Sequence, residues 1–195
     1  MGQFQRAEAG LRPSECCNVR RVDSALGPGL YFEYIDGEIT NVTIDLRREL
    51  NLRSDMVSVG GIKKPRRQKV YHAFLKAFID CYNTYMKYIE GSPYEVDYGA
   101  LTNTSFGKAY TYPAYRVEFQ KAVKACIPSM LTSDDPQTVN YGHLLQETPI
   151  SPHILRHWYS VKLTLYGEDV SGLMYWCGDT SPESALTYIA GKSEL

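Results

Sequence analysis

The stretch Ser151-Pro152-His153-Ile154-Leu155-Arg156-His157-Trp158-Tyr159-Ser160-Val161-Lys162-Leu163-Thr164-Leu165-Tyr166-Gly167 carries the plainest structural signal in the chain. Serine followed by proline reads as an N-cap with proline at the first helical position, and Gly167 as a C-terminal stop. A helix is therefore predicted between them. On a helical wheel Ile154, Trp158, Val161 and Leu165 form one stripe, the expected core face. His153, Arg156 and His157 cluster beside it, because spacings of three and four superpose. Two imidazoles and a guanidinium on a face without carboxylates suit an oxyanion or a phosphate, and a solvated polar face has the same pattern.

Downstream, a short helix is expected from Asp169 to Trp176, broken by Gly178. Ser181-Pro182-Glu183 starts a last helix reaching Ile189, with Leu186 and Ile189 as its apolar edge and Tyr188 away from it. Upstream, Tyr115, Phe119, Ala122, Val123 and Cys126 mark a helix stopped by Pro128, and Phe74, Phe78, Cys81, Tyr85 and Ile89 mark another ending near Gly91-Ser92-Pro93. Residues 94–112 and 128–149 read as connections. Between residues 30 and 70 the period is two. Leu30 to Ile35 and Ile39 to Asp45 flank Asp36-Gly37, a hairpin signal. Met56 to Val59 and Gln68 to Val70 read as two further short strands around a basic turn. Gln3 to Val19 reads as helical, interrupted at Gly10 and restarted at Pro13-Ser14-Glu15. The expected fold class is α+β, mainly helical, with a small antiparallel sheet near the N-terminus.

Composition bounds the function. The chain has 195 residues, 44% apolar and 22% charged, which excludes wholesale disorder and suits a single domain. Its 21 basic and 22 acidic residues nearly cancel, so attraction to nucleic acid must be local. The five cysteines include no CxxC pair, which argues against a disulfide framework or a zinc site and for a reducing, cytoplasmic setting. No export signal, membrane span, metal or cofactor is expected. The cysteines read as core or surface thiols, and His72 and His143 as structural or exposed.

Charge does concentrate in Lys63-Lys64-Pro65-Arg66-Arg67-Gln68-Lys69. Residues 60–77 hold six basic side chains and no acidic one. The turn fits a solvated loop, or a hairpin tip laid on a phosphate backbone. Arg12 stands in Gly10-Leu11-Arg12-Pro13-Ser14-Glu15, beside a helix start where backbone N–H groups also favour anions.

These pieces occur in one order: Gly-Leu-Arg-Pro-Ser-Glu, a lysine in a β-turn, His153-x-x-Arg156-His157, and Tyr188 at 32 residues after Arg156. In that order and spacing the chain resembles the catalytic domain of tyrosine recombinases, the phage-integrase family, over essentially its whole length. It is most similar to integrases of bacterial mobile elements and prophages. The resemblance implies metal-free, reversible strand exchange on double-stranded DNA attachment sites. Tyr188 would be the nucleophile forming a 3′-phosphotyrosyl link, with Arg12 and Arg156 clamping the non-bridging oxygens. Lys63, or Lys64 in another register of the turn, would protonate the leaving 5′-oxygen. His153 would assist proton transfer or hold the phosphate, and Glu15 would brace the first arginine.

Asp179 departs from the family pattern. Nine residues before the tyrosine, the family carries histidine, sometimes tryptophan. A carboxylate there would repel a phosphodiester unless protonated or paired, so Asp179 either braces Arg156 or caps the turn before Ser181, with Trp176 or His157 sharing the missing role. Lys64, Arg66, Arg67 and Lys69 are the expected DNA-backbone contacts. By the resemblance, residues 1–195 form a single catalytic domain whose N-terminal DNA-binding partner domain and part of the opening helix are absent. It also implies a tetramer on DNA for the full-length protein and a monomer for this chain alone. The alternative is a DNA-binding or regulatory remnant of an integrase with weakened catalysis.

Overall fold

The computed structural model describes residues 9–47, 62, 64–92 and 97–190. The expected strand at 56–59, the helix before Ala9 and Lys63 lie outside the described residues. Seven helices and three strands follow in chain order among those described. They are α1 (Pro13–Cys16), β1 (Leu30–Ile35), β2 (Glu38–Asp45), β3 (Arg67–Lys69), α2 (Leu75–Glu90), α3 (Tyr112–Leu131), α4 (Pro136–Glu147), α5 (Ile154–Leu165), α6 (Val170–Cys177) and α7 (Glu183–Ala190). The fold is α+β and mainly helical, and its sheet is antiparallel in the order β1-β2-β3.

The hairpin forms where the Asp-Gly pair stands. Asp36 and Gly37 both take positive φ (51° and 84°), the turn geometry that matches strand twist. Ile35 pairs with Glu38 and Leu30 with Ile44, with a register shift between Glu33 and Tyr34. Beyond the hairpin, β3 pairs Gln68 with Ile44 and Arg67 with Asp45. The main core joins Leu11, Val19, Leu30, Val42, Ile44, Phe74, Phe78, Tyr82 and Tyr85 to Tyr159, Leu163, Leu173 and Ala185. A second cluster of Cys17, Tyr115 and Phe119 seats α3 against Ile154 and Leu155 at the start of α5. The chain's first described segment, its sheet and its last three helices thus share one core.

Several expectations change. The helix expected to stop at Pro128 runs on to Leu131. A proline there removes only the bond to the Lys124 carbonyl, on an exposed face where water replaces it. The connection at 128–149 contains a twelve-residue helix, α4, capped by Asp135, whose carboxylate accepts from the Gln137 and Thr138 N–H groups. Asp135-Pro136 is the kind of start signal read at Ser151-Pro152, where α5 instead begins at Ile154 with His153 at the cap position. In α5 the core face is rotated. Arg156, Tyr159, Ser160, Leu163 and Thr164 are buried, whereas Trp158 and Leu165 are 41% and 49% exposed. The Ser160 and Thr164 hydroxyls are satisfied within the helix, Ser160 donating to the Arg156 carbonyl and Thr164 to that of Ser160. A wheel that weighs only apolarity turns such a helix the wrong way. On α7 the buried residue is Ala185, and Leu186 is exposed.

Candidate active site

Arg12 and Arg156 are far apart in sequence and meet at one atom. Arg12 stands before α1, where Pro13 fixes the first helical turn. The Glu15 carboxylate returns to accept from the Arg12 backbone N–H at 2.7 Å, a cap-like bond that sets the entry of the chain. Arg156 lies in the first turn of α5 and points inward. Its Nη1 donates to the Gly10 carbonyl at 2.7 Å and its Nη2 to Asp179 Oδ1 at 2.7 Å. Arg12 Nη2 donates to the same Asp179 Oδ1 at 2.8 Å and to the Gly178 carbonyl at 3.2 Å.

Asp179 reaches this point because of how α6 ends. Gly178 takes the left-handed conformation (φ 61°), and the Asp179 N–H closes the helix on the Met174 carbonyl at 2.9 Å. The closure turns the next side chain back toward the two guanidinium groups. Gly178 also leaves room, since a Cβ at that position would fall on the Arg66 guanidinium.

Below the clamp lies Glu15, fully buried. Arg12 Nη1 donates to its Oε1 at 3.0 Å, and Arg66 grips both its oxygens at 2.9 and 3.2 Å. Burial pushes the Glu15 carboxyl up, but the bond and charge of Arg66, then those of Arg12, outweigh it and hold it below the ordinary glutamate value. Arg66 Nε is held in turn by Gln68, whose amide donates to the Ala9 and Trp176 carbonyls at 2.6 and 2.5 Å. Strand β3 thereby ties the first described residues to the end of α6.

The expected DNA contacts thus divide. Arg66, expected as a backbone phosphate contact, is turned inward onto Glu15, with 10% of its side chain exposed. Arg66 is the second cation, beside Arg12, on this buried carboxylate. Arg67 is half exposed. It pairs with Asp45 at 2.9 Å and lies over the Tyr31 ring at 4.8 Å. Lys64 and Lys69 are exposed.

Tyr188, half-buried on α7, sits across from α5, its hydroxyl hydrogen-bonded to His157 Nδ1. Burial pushes its phenol above the ordinary tyrosine value; a Ser160 hydrogen bond opposes this. The His153 ring packs edge-on against His157 at 4.9 Å. Solvent reaches His153, yet the surrounding protein, then His157, Arg156 and Arg12, push its pKa below the ordinary value. Trp176 rests edge-on against Tyr71, with ring centres 5.0 Å apart. No group of side chains suited to a metal occurs among the described residues.

Sequence reasoning missed Arg66 and Gln68 as parts of this cluster, and Ser160 as a neighbour of the phenol and of the buried Cys177, 3.3 Å away. Only the alternation of β3, which sends Gln68 inward, could have signalled them. What the cluster offers chemically is a preformed, doubly cationic socket for one oxyanion, with a phenol and an imidazole beside it.

No family model matches the chain, and none of the curated proteins does. Solved structures do match. A Tn1549 transposon integrase in complex with circular intermediate DNA is 18% identical with a TM-score of 0.57, over 95% of this chain and 51% of that one. The XerH site-specific recombinase bound to palindromic difH substrate is 16% identical with a TM-score of 0.58, over 99% of this chain and 42% of that one. XerA recombinase is 14% identical with a TM-score of 0.56, over 95% of this chain and 49% of that one. The chain spans about half the length of these structures. No described helix is long and apolar enough to cross a membrane. The chain has the fold that these recombinase and integrase structures share.

Proposed function

We propose that the chain is the catalytic domain of a site-specific DNA recombinase that cleaves and rejoins DNA through a 3′-phosphotyrosyl intermediate. The observation that carries this reading is the convergence of Arg12 and Arg156 on a single oxygen, at 2.8 and 2.7 Å, in a cluster that also holds Tyr188. Planar guanidinium forks that meet at one oxygen match the non-bridging oxygens of a phosphodiester. In the reaction Tyr188 attacks phosphorus, Arg12 and Arg156 hold the charge that builds on the phosphoryl oxygens, and Lys63 or Lys64 protonates the departing 5′-oxygen. His153 helps hold the phosphate, and the Glu15–Arg66 pair keeps Arg12 from swinging. Lys64, Arg67 and Lys69 contact the duplex backbone. Asp179 occupies the place of the phosphate oxygen, so the carboxylate gives way when DNA enters.

That occupancy also favours a second reading, a DNA-binding remnant whose clamp is permanently filled by its own carboxylate. One experiment separates the two. The chain is incubated with a library of nicked duplexes of randomised sequence, and covalent adducts are recovered under denaturing conditions. The recombinase reading expects adducts that Tyr188→Phe abolishes while duplex binding persists. A remnant binds the library and yields no adduct.

A further inference from the structure

On the recombinase reading, we propose that His157 is the general base for Tyr188, its Nδ1 taking the phenolic proton as the oxygen attacks phosphorus and returning it when the strand is rejoined. Neighbouring residues of one helical turn divide the work. Arg156 points into the clamp, and His157 points across to α7, where Nδ1 meets the Tyr188 hydroxyl. The two rings lie 5.8 Å apart at 55°, so the imidazole approaches the oxygen rather than stacking on the phenol. With the ring proton on Nε2, Nδ1 accepts from the phenol, the geometry a base needs before any motion.

His153 makes this division workable. It packs edge-on against His157 at 4.9 Å, and its surroundings favour the uncharged ring. A proton arriving on His157 therefore meets a neutral neighbour instead of a second imidazolium. His157 is itself exposed, so it can exchange that proton with water between turnovers. Burial raises the Tyr188 phenol, which makes the phenolate scarce near neutral pH and a base necessary.

The step balances. The Tyr188 O–H bond breaks toward Nδ1 as the O–P bond forms, and the P–O5′ bond breaks as the 5′-oxygen takes a proton from the lysine of the basic turn. In rejoining, the 5′-hydroxyl attacks phosphorus and returns its proton to that lysine, while the O–P bond to Tyr188 breaks and the tyrosine oxygen takes back the proton held on Nδ1.

The test uses a duplex enriched from the nicked library, made with the ordinary 5′-oxygen and with a bridging 5′-sulfur, whose thiolate leaves without a proton. His157→Asn places an acceptor near the Nδ1 position, keeping the hydrogen bond but not the basicity; His157→Ala removes both. Single-turnover cleavage should fall by about 10²–10⁴-fold in both variants. Sulfur should not restore it, whereas sulfur should restore cleavage in whichever of Lys63→Ala and Lys64→Ala removes the acid. A His157→Asn rate within about tenfold of the unsubstituted chain, or its recovery with sulfur, overturns the proposal while leaving the recombinase reading intact. Absence of any adduct with the unsubstituted chain overturns both.

Discussion

Asp179→Asn tests the clamp without touching the arginines. The carboxylate oxygen accepts two charge-assisted bonds at 2.7 and 2.8 Å, and the partners are shielded, with 7% of the Arg156 side chain and 14% of the Arg12 side chain exposed. Removing one partner of a buried ion pair costs about 3–5 kcal/mol. Asparagine keeps an acceptor oxygen, and the Gly10 and Gly178 carbonyls still receive bonds from the same guanidinium groups. Since the charged bond is worth roughly twice the neutral one, the net loss should be about 2–3 kcal/mol. For a chain of this size that lowers the thermal midpoint by roughly 5–10 °C. The same substitution should open the socket to anions. Inorganic phosphate at about a hundredfold over its dissociation constant would return about 2.7 kcal/mol, close to the whole loss. In the unsubstituted chain phosphate must first displace Asp179 and should raise the midpoint far less. Thermal unfolding of both proteins across a phosphate series measures both effects at once. An unchanged midpoint in buffer, or equal phosphate responses in the two proteins, would refute the view that Asp179 fills an oxyanion site.

Four further outcomes follow from the same geometry. Arg156→Lys and Arg12→Lys keep the charge and lose the fork, so adduct formation should slow by about 10²–10³-fold; a near-normal rate in either would remove that residue from the clamp. Lys64→Ala with Lys69→Ala should weaken duplex binding and flatten the slope of log K against log salt by up to about two units. Arg66→Ala, by contrast, should lower the unfolding midpoint and leave the slope nearly unchanged, because its guanidinium is spent on Glu15. Gly10 has φ 62° and Gly10→Ala places a Cβ 2.5 Å from the Tyr159 ring, so backbone strain and overpacking together should cost at least about 1–3 kcal/mol in chemical denaturation; a neutral result would contradict the close approach of this turn to the ring.

What the sequence makes legible is the order and spacing of the groups, and with them the hairpin, both long helices and the two arginines. Orientation is harder to read. The wheel for α5 places Trp158 and Leu165 inside because it scores apolarity, whereas the helix turns Arg156 inward and satisfies the Ser160 and Thr164 hydroxyls on its own carbonyls. Pro128 reads as a stop because the missing N–H is local and visible; the exposure that makes its loss tolerable is a tertiary fact. Arg66 looks like every other cation of the basic turn. Its inward course depends on a buried carboxylate more than fifty positions upstream and on the absent Cβ of Gly178. Asp179 was readable as a misfit, and the bracing of Arg156 was one of its open readings. Its second partner, Arg12, depends on the closure of α6, which brings residues 12, 156 and 179 to one point.

The most direct measurement is the chemistry of the adduct itself. Covalent complexes recovered from the nicked library are digested and the modified peptide is sequenced by mass spectrometry, while the released strand is assayed for a free 5′-hydroxyl by enzymatic phosphorylation. The account predicts a single linkage, from the Tyr188 oxygen to a 3′-phosphate, with the 5′-hydroxyl present in equal amount. A linkage mapped to Tyr166, Tyr175 or any other residue, or to a 5′-phosphate, would contradict it.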